Sequence, residues 1–195
     1  MNWRHIMQKI AVYCGASTGN EPAYADATVA LGTWLAEHQL ELVYGGGGVG
    51  LMGLLAQTVL DHGGVVHGIM PQNLYDRGAA HPGLTDLEIV PNMSVRKQKM
   101  LAYADGCIAL PGGPGTLEEI VEAFSWARIG DNDNPCVFYD VNHYYRPIQD
   151  MFQAMVNTEF LTQADFDKLG FFDSLPKMFQ FMENYEPPLI RQYTK

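Results

Sequence analysis

Two acids, one arginine and a run of glycines carry the chemistry available to this chain of 195 residues. Pro111-Gly112-Gly113-Pro114-Gly115-Thr116 follows an apolar run of strand length and leads into a segment of helical period. Glycine lets an anion approach backbone N–H groups closely. The helix start behind the turn adds free donors and the positive end of the helix dipole. Gly112, Gly113, Gly115 and Thr116 are therefore candidates to hold a phosphate. Glu118 and Glu119 come next. An acid there also suits a helix amino terminus, but a carboxylate beside a bound phosphate is like-charged with it. That coincidence points to a task other than affinity and marks Glu119 as a candidate for chemistry. Upstream, Arg96, Lys97 and Lys99 cluster in an otherwise acidic chain. Lys97 and Lys99 read as a solvated face, whereas the planar fork of Arg96 suits a phosphate or a carboxylate.

Two further strand-like runs end in glycine-containing turns, Gly15-Ala16-Ser17-Thr18-Gly19 and Gly45-Gly46-Gly47-Gly48. Gly45-x-Gly47-x-x-Gly50 fits the dinucleotide fingerprint, with a strand before it and a helix after. No acid closes the third strand to hold a ribose hydroxyl, so NAD is disfavoured, and the absence of a following Gly-Lys-Ser/Thr excludes a P-loop. Gly46 and Gly47 remain candidate ligand contacts. The alternative is that these glycines serve only a tight turn and close packing.

The elements that must position these residues alternate regularly. Strands are expected over residues 10–14, 40–44, 65–70, 107–110 and 136–139, from short apolar runs bounded by turn signals. Helical periodicity fills residues 22–38, 51–60, 94–104, 117–127, 145–156 and 175–184. Residues 71–93, with three prolines, read as a long irregular stretch of the kind that is usually functional or mobile. Strand–helix alternation implies right-handed crossovers and a parallel sheet covered on both faces. The expected fold is a single α/β domain, doubly wound and Rossmann-like, with ligands at the carboxyl ends of the strands.

Composition sets the outer bounds. Hydrophobic residues make up 47% and charged residues 17%, which argues for a folded globular chain. A net charge of −10 repels polyanions, so neither nucleic acid nor an anionic membrane is an expected partner. No apolar run is long enough to span a bilayer, and residues 1–9 lack the apolar core of a signal peptide. Cys14, Cys107 and Cys136 show no CxxC spacing and sit in apolar runs, so reduced buried thiols, no metal site and a cytoplasmic location are expected.

Together these residues resemble the Lonely guy (LOG) family, cytokinin riboside 5′-monophosphate phosphoribohydrolases often mislabelled as lysine decarboxylases. The resemblance is carried by the PGGxGTxxE pattern at Pro111 to Glu119 and by the pair Arg96-Lys97. Supporting stretches are Tyr13 to Ser17, Val43 to Gly47, Gly50 to Gly53 and Trp126 to Gly130. It implies hydrolysis of the N-glycosidic bond of an adenine-type nucleoside monophosphate, either a cytokinin ribotide or AMP, releasing free base and ribose 5-phosphate. It also implies that Arg96 and Glu119 are the catalytic pair, with residues 113–119 holding phosphate and ribose. Ser17, Gly46, Gly47, Lys97 and Ser125 would complete the substrate site, with no cofactor, in a homodimer. Gly78 stands where family members often carry a ligand-contacting Glu, and Ser125 fills a position commonly Thr or Ser. A non-enzymatic protein that binds a nucleotide or molybdenum cofactor through the same turns is the alternative. Lysine decarboxylation would need a pyridoxal phosphate lysine with supporting groups, which nothing here suggests.

Overall fold

The computed structural model describes residues 7–190, so most of the amino-terminal segment weighed above as a leader lies outside the described residues. Seven strands form one parallel sheet: β1 (Lys9–Tyr13), β2 (Glu41–Tyr44), β3 (Val66–Pro71), β4 (Asp86–Val90), β5 (Gly106–Ala109), β6 (Cys136–Tyr139) and β7 (Leu169–Phe172). Their order is β4-β3-β2-β1-β5-β6-β7. The chain winds outward from β1 in one direction, returns, and winds outward in the other from β5. The β1–β5 boundary is thus the switch point, where a doubly wound sheet opens its ligand crevice.

The helices are α1 (Pro22–Glu37), α2 (Gly50–Asp61), α3 (Gln72–Tyr75), α4 (Met93–Tyr103), α5 (Pro114–Ala127), α6 (Arg146–Asn157), α7 (Gln163–Phe166) and α8 (Leu175–Glu183). Side chains alternate across each strand, and the two faces make two cores. Ile10, Val12, Leu42, Tyr44, Ile108 and Val137 pack under α1, α2 and α8. Ala11, Tyr13, Val43, Cys107, Ala109 and Phe138 pack under α4, α5 and α6.

The expected class holds, but the strand count of five becomes seven. β4 falls inside the stretch read as irregular, and β7 in a segment left unassigned. Both are edge strands; β4, Asp-Leu-Glu-Ile-Val, is mostly half-exposed and has no continuous apolar run, and β7, Leu-Gly-Phe-Phe, is a four-residue apolar run that contains a glycine. The turn after β5 is also shorter than expected. α5 begins at Pro114, so Pro114, Gly115 and Thr116 form its first turn rather than a loop before it. Proline suits that place because it has no N–H to leave unpaired there. The three cysteines are buried and unpaired.

Candidate active site

The ends of β1 and β5 meet closely at the switch point. Leu110 N–H donates to Tyr13 O (2.9 Å) and Gly15 N–H to Pro111 O (3.1 Å). This ties the β1–α1 loop to the proline–glycine turn and leaves the start of α5 facing the crevice. Among the described residues, the N–H groups of Gly113, Gly115 and Thr116 have no protein partner. A Cβ built at Gly113 or Gly115 would meet nothing within 4 Å, so the backbone there is open to a ligand. Thr116 is 4% exposed, yet its hydroxyl makes no hydrogen bond within the described residues. Unpaired donors at a helix amino terminus form an anion site.

Beside this turn lies a buried ion pair. Glu119, on the second turn of α5, accepts from Arg96 Nη2 at 2.6 Å, and both residues are over nine-tenths buried. Arg96 reaches it from the first turn of α4, whose Asn92 cap accepts from Val95 N–H and fixes where the helix starts. Gly45 makes room: a Cβ there would stand 2.5 Å from Arg96 Nη2. The pair is only partly satisfied. Arg96 Nε is buried without a partner, and Glu119 Oε2 has none among the described residues. Burial pushes the Glu119 carboxyl above the usual carboxylate range, Arg96 opposes that shift, and the charges of Glu118 and Glu122 add to it. The buried guanidinium and carboxylate thus keep hydrogen-bonding capacity that the pair itself does not use.

The remaining expected site residues divide. Lys97 is not solvated; its amine bridges Glu118 (2.6 Å) and Glu122 (2.9 Å) and ties α4 to α5 beside the pair. Lys99 is likewise paired, with Glu88 on β4. Ser17 lies exposed in the β1–α1 loop, its hydroxyl accepting from Gly19 N–H. The second glycine turn is largely occupied by its own chain. Leu51 and Met52 N–H, at the start of α2, donate to Ser17 O and Gly15 O, while Gly46 O accepts from His81 and Gly48 N–H donates to Ala79 O. Gly46 packs against Leu87 and Met70 and Gly47 against Met52, so Gly45 is the glycine of this turn that meets Arg96, and the donors of α2 support the β1–α1 loop. Ser125 sits three turns along α5 and is exposed, lining a largely apolar groove between α5 and α6 whose other end reaches Pro114 of the turn. Gly78 adopts φ +71° in the turn that ends α3, a left-handed position that suits glycine.

Two residues escaped the sequence reading. Tyr144 donates to Gly112 O and Tyr145 to Leu110 O, each at 2.6 Å. They lie 32 and 35 residues beyond their acceptors, so no spacing rule connects them. Among the described residues there is no cluster of three or more histidine, cysteine or acidic side chains able to hold a metal ion. No helix there is long and apolar enough to cross a membrane.

The chain is similar to known proteins. Residues 52–182 match the family described as "possible lysine decarboxylase". The chain is 36% identical over 180 residues to a cytokinin riboside 5′-monophosphate phosphoribohydrolase of Arabidopsis thaliana, covering 92% of this chain and 84% of that one. It is 41% identical over 162 residues to the enzyme of the same name from Rhodococcoides fascians, covering 83% and 82%. Its fold is similar to that of a molybdenum cofactor binding protein from Rippkaea orientalis, at 18% identity, a TM-score of 0.68 and coverage of 92% and 97%. At that identity the likeness concerns the fold alone. With the switch-point turn, the buried Arg96–Glu119 pair and these relatives, the chain belongs to the Lonely guy family of phosphoribohydrolases.

Proposed function

We propose that this protein hydrolyses the N-glycosidic bond of an adenine-type nucleoside 5′-monophosphate, a cytokinin ribotide or AMP, to free base and ribose 5-phosphate. The observation that carries it is the half-satisfied Arg96–Glu119 pair beside an open helix start with unpaired N–H groups. The turn from Gly113 to Thr116 holds the 5′-phosphate, with Gly112 and Ser17 at its margin. Ribose then lies over Glu119. As the C1′–N bond breaks, positive charge develops on the sugar, and the carboxylate stabilises it while Oε2 orients a water toward C1′. The water oxygen bonds to C1′, one of its protons is released, and the departing base takes up a proton.

Arg96 favours the ionised form of Glu119 against the cost of burial, and its Nε is left with no partner among the described residues. Lys97 and Glu118 hold α4 against α5 and so fix the distance between the pair. Gly46 and Gly47 line the crevice on the β2 side. No metal or organic cofactor enters this chemistry, and the three unpaired thiols fit a reducing, cytoplasmic setting. Self-association into a homodimer uses the apolar groove of about 690 Å³ formed by Leu117, Val121, Trp126, Ile148, Met151 and Met155, with Ser125 at its rim.

A panel of nucleoside 5′-monophosphates, assayed for free base and ribose 5-phosphate, tests the reading. Adenine-type nucleotides should be cleaved, and Glu119→Gln should lower kcat by about 10²–10⁴-fold with little change in ribose 5-phosphate affinity. Full turnover by Glu119→Gln would remove Glu119 from the chemistry.

A further inference from the structure

The connection between β6 and α6 has an unusual backbone. Asn142 and His143 are consecutive non-glycine residues with φ of 52° and 58°, a left-handed conformation that L-residues adopt at a cost. Directly after them, Tyr144 and Tyr145 aim their hydroxyls at the same stretch of chain. Tyr145 O–H donates to Leu110 O, its backbone N–H donates to Asp140 Oδ1 (2.7 Å), and the residue is 3% exposed. It anchors the connection to the end of β5. Tyr144 is 39% exposed and reaches one step further, donating to Gly112 O within the glycine turn itself. Its ring is held edge-on between Tyr24 of α1 (5.5 Å) and Tyr145 (4.9 Å). A partly exposed tyrosine so braced has little freedom to point its hydroxyl elsewhere.

The Gly112 carbonyl shares a peptide plane with the Gly113 N–H. In a trans peptide the two groups point in opposite directions, so holding the carbonyl toward Tyr144 fixes the N–H away from it. Gly113 is the residue that caps α5, and its N–H is one of the unpaired donors of the turn. Glycines flank this peptide and by themselves let it rotate. A hydroxyl outside the turn supplies the restraint that the turn lacks.

We propose that Tyr144 is a positioning residue that sets the preference for a 5′-phosphate by locking the Gly112–Gly113 peptide with its N–H presented for binding. Tyr145 and the left-handed Asn142–His143 pair hold Tyr144 in place. The proposal rests on the reading above that this turn binds the phosphate. Because a phosphate contact is made equally in ground and transition states, its loss appears in KM rather than kcat.

The test compares wild type with Tyr144→Phe, which keeps the ring and removes only the hydroxyl. Ribose 5-phosphate and adenosine are titrated calorimetrically, and the cleaved nucleotide is assayed. The dissociation constant for ribose 5-phosphate and the KM for nucleotide should rise together, roughly three- to tenfold, the range for one misaligned hydrogen bond. Adenosine affinity, kcat and melting temperature should stay within about twofold or a degree of wild type, as expected for a loss confined to uniform binding. A merely structural role would lower the melting temperature or the active fraction and leave KM alone. Unchanged ribose 5-phosphate affinity in Tyr144→Phe overturns the proposal, even with full wild-type turnover. A wild type that cleaves nothing, but whose ribose 5-phosphate affinity drops in Tyr144→Phe, sustains the proposal and removes the hydrolase reading instead.

Discussion

Glu119 serves two neighbours with its two oxygens. Oε1 is held by Arg96 at 2.6 Å, and in the proposed reaction Oε2 is the oxygen that meets the ligand. Burial is the largest influence on its proton and raises its affinity for it; Arg96 pulls the other way and does not fully compensate. The proposed reaction needs the carboxylate, so turnover should fall as pH drops through a midpoint above the usual ~4.3 of a glutamate. A kcat–pH profile reads this limb directly. Glu118 and Glu122 contribute to the rise, so Glu118→Gln should move the limb to lower pH, both by removing a nearby negative charge and by freeing Lys97. A limb that stays in place in Glu118→Gln would mean another group controls it. The sign for stability is opposite to that for activity. A folded pKa raised above the unfolded one favours folding at low pH, and that contribution is lost as pH rises through the folded value. The ionised form that the reaction needs is thus the form the fold tolerates less.

At the scale of elements, the site depends on two helix starts used differently. α5 leaves its first N–H groups open beside the crevice, whereas α2 spends its own on the carbonyls of Gly15 and Ser17. Gly50 is where α2 meets that loop. It has φ +62°, and any Cβ there would run into the Ala16–Ser17 peptide. Gly50→Ala should therefore cost about 1–3 kcal/mol or more from the left-handed backbone alone. Urea unfolding measures it, and a loss below about 0.5 kcal/mol, the range of an ordinary surface change, would show that the loop simply moves aside. The dinucleotide-like spacing Gly45-x-Gly47-x-x-Gly50 thus builds a junction between two loops and a berth for Arg96.

The whole molecule places its apolar groove and its glycine turn on one helix. α5 carries Glu119 near its start and Trp126 near its end, and α6 closes the groove with Met151, which is 55% exposed. Soluble monomers seldom expose a contiguous apolar surface of this kind, and the proposed homodimer would cover it. If two copies meet there, Met151→Glu puts a charge into the desolvated contact and should shift the protein toward monomer at micromolar concentration. Sedimentation velocity of wild type and variant decides it. A wild-type monomer, or a variant that stays a dimer, would place the interface elsewhere or remove it.

What the sequence determined by itself was what local signals can carry. Strand-length apolar runs alternating with helical periodicity specify a parallel, doubly wound sheet, and Pro111 to Thr116 marks a glycine turn that leads into a helix start, because periodicity and helix-start chemistry act over a few residues. The edge strands β4 and β7 carry a weaker signal, because Asp86 and Glu88 interrupt the apolar residues of β4 and β7 is a four-residue run that contains Gly170. Tertiary structure alone decided which cation reaches which acid. Arg96 and Glu119 are 23 residues apart and are joined only because α4, β5 and α5 complete a crossover that stacks both helices on one face of the sheet. The same crossover sends the adjacent Lys97 to Glu118 and Glu122. One residue's rotation about a helix separates a buried pair from one whose acids reach the surface, and composition holds no record of that angle.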